Sequence, residues 1–389
     1  IAAPETLTLS LGSGADQVQV LSTSTRTFVN GGAGADLFVV NPAGEHTANL
    51  LAGRISIDGQ GGADVTRVYL WTNGTSRVDV SDNSGDAQRL HTVWVYGSDE
   101  ADTVLMRANA DGPRGLVGLV SNRNATTGLF GDVEMVTYQL GLVGAPDGYP
   151  LVDEGPDLTR DDDNGVGNVS PAIRLYTLGG DDVIAFDDTA ADFLLDLGAG
   201  DDLVRIGQIY KVQRSIDPAP PADRYVADDE FGVLASVGFD SSRGLLSPGV
   251  RFKTTVSGGA GDDVFELVHN IGQVYLYGDA DDDTFVVRSF VSADSVPYIN
   301  AGGGNNVVQY AANALVAIDG GEGNDLVVLV GTEADDLFVV TATGVYGGGR
   351  LVSFRDIEQL YLYGQEGDDE FHVLSTAANV TVRVFGGLG

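Results

Sequence analysis

Apolar residues recur at three fixed offsets around a short Gly/Asp loop. Counted from the residue that ends each loop, position +2 is Val18, Phe38, Val104, Ile184, Val204, Phe265, Phe285, Val308, Val327, Phe338 and Phe371, with Thr66 the one polar exception. Position +4 is Val20, Val40, Val68, Met106, Phe186, Ile206, Leu267, Val287, Tyr310, Leu329, Val340 and Val373. Position −7 is Leu9, Val29, Ile57, Val95, Leu175, Leu195, Val256, Leu276, Ile299, Ile318 and Leu362. Apolar positions two apart on both sides of a loop predict two strands that each bury one face. The predicted unit is therefore strand, loop, strand.

The loop reads Gly-x-x-Gly-x-Asp or a close variant. It runs from Gly31 to Asp36, Gly59 to Asp64, Gly258 to Asp263, Gly278 to Asp283, Gly320 to Asp325, Gly331 to Asp336 and Gly364 to Asp369. Glycine supplies the positive φ of a tight, open loop. Carbonyls and carboxylates directed at a common centre are the all-oxygen ligand set of a hard cation.

The loop-ending position falls at 16, 36, 64, 102, 182, 202, 263, 283, 306, 325, 336 and 369. The recurring short step is about 20 residues, which fits one winding of a parallel β-solenoid, a β-roll or β-helix, with windings ~4.8 Å apart. The expected fold class is all-β. Longer steps hold excursions: Leu337 to Gly364 reads as strand, Gly-rich turn at Gly344 to Gly349, strand, then Phe354-Arg355-Asp356-Ile357-Glu358. Phe130-Gly131-Asp132-Val133-Glu134 does the same job earlier. The 11-residue step from Asp325 to Asp336 puts two loops at opposite ends of one strand. Two Pro/Gly-rich insertions divide the chain into N-terminal windings at 1–143, a linker at 144–171, and C-terminal windings at 172–389 with an insertion at about 207–252. Thr6-Leu7-Thr8-Leu9 opens inside a strand pattern and Gly386-Gly387-Leu388-Gly389 stops short of an Asp, so the chain reads as a segment of something longer.

Composition narrows the function. The formal net charge is −35, from 56 acidic against 21 basic residues, which excludes the basic surface that nucleic acid requires. No run of 18 apolar residues occurs, so no membrane span is expected. There is no Cys. A secreted chain without disulfides needs another staple, and metal is the obvious one.

These loops resemble the Gly-Gly-x-Gly-x-Asp-x-U-x repeats of the RTX (hemolysin-type) calcium-binding family, where U is a large apolar residue. Gly258-Gly259-Ala260-Gly261-Asp262-Asp263-Val264-Phe265-Glu266, Gly320-Gly321-Glu322-Gly323-Asn324-Asp325-Leu326-Val327-Val328 and Gly31-Gly32-Ala33-Gly34-Ala35-Asp36-Leu37-Phe38-Val39 carry the resemblance. It implies a parallel β-roll holding Ca²⁺ between successive loops, secretion, and folding driven by calcium outside the cell. The ligands it implies are Asp36, Asp64, Asp102, Asp182, Asp202, Asp263, Asp283, Asp325, Asp336 and Asp369, with carbonyls of loop glycines such as Gly31, Gly59, Gly258, Gly278, Gly320 and Gly364. The preceding acids Asp262, Asp282, Asp335 and Asp368 either ligate a neighbour or face water. The chain departs from the family in its spacing: steps of about 20 rather than tandem nine-residue repeats would line ions chiefly along one edge. Ala301 to Asn306 offers amides for carboxylates, and Leu178-Gly179-Gly180 lacks the first Gly.

Catalytic motifs are missing. His46, His91, His269 and His372 have no motif partners, and His269 and His372 read as surface strand residues. The expectation is a non-enzymatic, extracellular, calcium-binding structural or adhesive segment of a larger surface protein or filament. Its partners would be calcium, further windings end to end or self-association, and a surface glycan or protein. The alternatives are a polysaccharide-acting enzyme on a β-helix scaffold, or a passive secretion and folding module.

Overall fold

The computed structural model describes residues 5–41, 51, 53–70, 75–83, 91–108, 114–123, 130–140, 172–207, 209–214, 244–288, 295–312 and 314–388. The fold is all-β, with no helix among the described residues. Two long, mainly parallel sheets carry it. The fifteen-stranded sheet has the spatial order β1 (Thr6–Ser13), β3 (Arg26–Ala33), β5 (Ile55–Gly61), β7 (Arg77–Ser81), β11 (Phe130–Gln139), β10 (Gly115–Arg123), β9 (Thr103–Ala108), β13 (Val183–Phe186), β15 (Leu203–Ile206), β19 (Val264–Leu267), β21 (Thr284–Val287), β24 (Val307–Ala311), β27 (Leu326–Val330), β31 (Gln359–Tyr363) and β33 (Thr381–Phe385). The fourteen-stranded sheet runs β2 (Gln17–Val20), β4 (Leu37–Val40), β6 (Val65–Tyr69), β8 (Thr92–Tyr96), β12 (Ile173–Tyr176), β14 (Phe193–Ala199), β18 (Thr254–Ala260), β20 (Val274–Ala280), β22 (Tyr298–Asn300), β25 (Ala317–Asp319), β30 (Arg350–Arg355), β29 (Gly344–Gly347), β28 (Leu337–Thr341) and β32 (Glu370–Val373). Two small pairs, β16 (Ile209–Arg214) with β17 (Gly244–Leu246) and β23 (Gly303–Gly304) with β26 (Glu322–Gly323), lie beside them.

The chain passes from one sheet to the other and back, and outside two antiparallel detours the strands of the two sheets pair in parallel with their equivalents one repeat on. Val204 thus lies beside Phe265, and Phe265 beside Phe285. A one-residue slip would turn every apolar side chain outward, so the alternation itself fixes this register. The +2, +4 and −7 residues of the interior repeats are buried in one continuous core. Phe265 and Phe285 stack at 4.7 Å within it, a pair worth about 0.5–1.5 kcal/mol beyond its buried area. Strands of the 1–143 and 172–389 segments share both sheets, since β8 pairs with β12 and β9 with β13. The 144–171 segment lies outside the described residues.

Each sheet takes one antiparallel detour. In the first sheet β9, β10 and β11 form a meander, and β11 then returns to parallel pairing with β7. In the second, β28, β29 and β30 do the same. This corrects the expected Gly-rich turn at 344–349. Gly344–Gly347 is itself a strand, and the turn is left to Gly348 and Gly349, both at positive φ.

Candidate functional site: the aspartate ladders

Call the turn from the fifteen-stranded to the fourteen-stranded sheet the first edge and the return turn the second. The loop-ending residues fall into three runs. Asp16, Asp36 and Asp64 lie on the first edge. Asp102, Asp182, Asp202, Asp263, Asp283, Asn306 and Asp325 lie on the second, and Asp336 and Asp369 return to the first. The expectation of one principal edge is therefore corrected: the loops use both. Each change of edge falls where an odd number of strands separates two loops: β6, β7 and β8 between Asp64 and Asp102, and β27 alone between Asp325 and Asp336. Asp325 and Asp336 sit at opposite ends of β27, as their 11-residue spacing requires.

Within each run the aspartates interlock. The backbone N–H of one loop-ending residue donates to Oδ1 of the next: Asp36 to Asp64 at 2.9 Å, Asp102 to Asp182 at 2.7 Å, Asp182 to Asp202 at 2.7 Å, Asp202 to Asp263 at 2.9 Å. Asp283 donates to Asn306 at 2.8 Å and Asn306 to Asp325 at 2.9 Å, so the amide keeps its place in the ladder. Asp336 donates to Asp369 at 3.0 Å. The second-edge run ends on Glu358, whose Oε2 accepts from Asp325 N–H at 2.8 Å. Glu134 occupies the equivalent place at the first meander and accepts from Ser76 Oγ at 3.0 Å. Both acids close the same Phe-x-Asp-(Val/Ile)-Glu spelling.

The acids one residue earlier form a second, exposed ladder of opposite sense. Asp282 N–H donates back to Asp262 Oδ1 at 3.0 Å, Asn305 N–H to Asp282 Oδ1 at 2.7 Å, and Asp368 N–H to Asp335 Oδ1 at 2.9 Å. Three of these carboxylates, Asp262, Asp282 and Asp335, therefore tie neighbouring repeats as well as facing water, and Asp368 joins through its backbone N–H.

The first glycine of the loop has a steric role. A Cβ on Gly31 would lie 2.6 Å from Asp36 Oδ2 and 2.7 Å from Gly59 O. At Gly258 and Gly278 it would strike the loop's own Asp263 or Asp283 Oδ2, and at Gly364 that of Asp369; at Gly320 it would strike the backbone carbonyl of Asp356, with Asp325 Oδ2 3.0 Å away. The carboxylate folds over its own glycine into a cradle that also receives a carbonyl of the next repeat. At Asp182 the missing glycine is Thr177, fully buried and donating to Leu197 O at 2.9 Å. Asp102 and Asp336 open their runs. There Ser98 and Thr332, at the place of a loop glycine, donate N–H and Oγ to the carboxylate.

Oδ1 is thus satisfied, but Oδ2 of Asp36, Asp64, Asp182, Asp202, Asp263, Asp283, Asp325 and Asp369 is buried with no hydrogen-bond partner. Burial is the largest cause of a raised pKa at several: about 6 for Asp64, Asp102 and Asp202, about 7 for Asp182 and Asp263, and about 8 for Asp283. Neighbouring carboxylates add to it at Asp64, Asp182, Asp202, Asp263 and Asp283. A lone buried anion facing carbonyl oxygen calls for a proton or a cation. The donor chemistry fits a hard divalent ion in kind: one carboxylate oxygen and one or more carbonyls per cradle. No group of three His, Asp or Glu side chains converges on a metal position among the described residues, so backbone oxygen would have to supply most of a shell.

Of the two histidines expected on strand surfaces, His372 is half exposed beside Glu370 in β32, whereas His269 lies past the end of β19, partly buried, with Nδ1 2.8 Å from Ser247 O. His46 lies outside the described residues. His91 is buried, with Nε2 3.0 Å from Thr66 Oγ1, which accounts for the one polar residue in the +2 series. No family model, curated protein or solved structure matches the chain.

Proposed function

We propose that the chain is an extracellular, calcium-binding parallel β-solenoid that serves as a structural or adhesive segment of a surface protein or filament. The observation that carries this reading is the buried, unpartnered Oδ2 repeated along the ladders, set in most loops against a glycine and in several against a carbonyl of the next repeat. Calcium bound there would remove the cost of burying a row of like charges, a cost that otherwise opposes stacking. The resemblance of the loops to RTX repeats supports the choice of calcium and an extracellular setting, where the ion is abundant. The two continuous sheets, built from repeats that contact only their neighbours, support a scaffold role.

The test is a calcium titration of chelated protein followed by far-UV circular dichroism and thermal melting. A cooperative gain of β signal and of Tm is expected near the range of extracellular sites, about 10⁻⁴–10⁻³ M. A chain that is fully folded in chelator, with melting unchanged by calcium, would sink the reading.

A further inference from the structure

One cradle differs from the others. Above Gly59 the space that holds a carbonyl at Gly31, Gly258 and Gly278 is taken by an imidazole. A Cβ there would collide with Asp64 Oδ2 and lie 2.6 Å from His91 Nδ1. Asp64 is fully buried and His91 only 4% exposed, and neither Oδ2 nor Nδ1 has a hydrogen-bond partner. The ring is oriented from behind by Thr66 Oγ1, 3.0 Å from Nε2, the arrangement by which a second hydrogen bond commonly fixes a metal-bound histidine. The carboxylates of Asp36, Asp58 and Asp82 all bear on Asp64, and those of Asp58 and Asp82 on His91, so the surrounding field favours a cation.

We infer that Asp64 and His91 hold a first-row divalent metal of the Zn²⁺ class at the end of the first ladder, with Thr66 as the positioning residue. Imidazole nitrogen suits such metals, whereas calcium prefers oxygen throughout. The site departs from the calcium reading at Asp64 alone: there a nitrogen from the next repeat faces Oδ2 where several other cradles offer a carbonyl.

The full chain in excess Ca²⁺ is titrated with Co²⁺ and followed by its visible absorption, then displaced with Zn²⁺. One equivalent is expected, with the signal lost in His91→Gln, weakened about 10–100-fold in Thr66→Val, and unchanged in His372→Gln. The ¹⁵N shift of the His91 ring in wild-type protein gives a readout that needs no variant: Zn²⁺ should move Nδ1. No binding in the presence of Ca²⁺, binding retained in His91→Gln, or an unmoved Nδ1 would overturn the inference. The calcium-dependent melt is read separately, so either proposal can fail alone.

Discussion

The N–H of Asp263 donates to Oδ1 of Asp283, one repeat away, at 2.9 Å. The bond joins equivalent loop positions of neighbouring repeats and leaves Oδ2 of both residues buried and unanswered. Stability and charge are therefore separable at one side chain: Oδ1 does the joining and the anionic charge is left over.

Substituting that side chain should separate the two. Asp283→Asn keeps an acceptor for Asp263 N–H, as Asn306 does naturally, and should melt at or above the wild-type temperature in chelator while losing part of the calcium response. Asp283→Ala removes the acceptor and strands a buried N–H, at about 1–3 kcal/mol. Paired denaturant titrations with and without Ca²⁺ would check both.

Stability should fall as pH rises when divalent ions are absent. Asp64, Asp102, Asp182, Asp202, Asp263 and Asp283 have native pKa values of about 6 to 8 against 3.8. Between about pH 4 and pH 8 the native chain then binds more protons than the unfolded chain, so unfolding free energy decreases with pH. His91, lowered by burial from 6.5 to about 4, works in the opposite sense but is one group against six. Tm measured in chelator should drop from pH 5 to pH 8, and calcium should flatten the curve. A rising curve in chelator would contradict the assignment.

Gly258→Ala should destabilise by about 1–3 kcal/mol or more, because the new methyl meets Asp263 Oδ2 and the Gly278 carbonyl and the close-packed turn must shift. Gly303→Ala is the control. Its backbone needs no positive φ and its nearest neighbour would be 3.8 Å away, so its melting temperature should stay near wild type.

Arg107 and Asp187 form an ion pair with side chains 2% and 0% exposed. Arg107→Met takes the guanidinium away from the buried Asp187 carboxylate and should cost about 3–5 kcal/mol. The double change Arg107→Met with Asp187→Leu should recover much of that loss in a denaturant melt.

The repeat, the inward positions and the ladder residues were legible in the chain because each is a local pattern. Period-2 apolarity fixes which face of a strand is buried, and a Gly-rich loop ending in Asp recurs at a readable step. What the chain alone could not decide was which edge a loop occupies. That depends on whether an odd or an even number of strands separates two loops, and only the sheet topology shows that β6, β7 and β8 lie between Asp64 and Asp102. The contacts of Glu134 with Ser76 and of Glu358 with Asp325, and the meeting of Asp64, Thr66 and His91, were likewise hidden. They join residues 25 to 58 positions apart through side chains that carry no period, and such contacts exist only once strands distant in sequence have stacked.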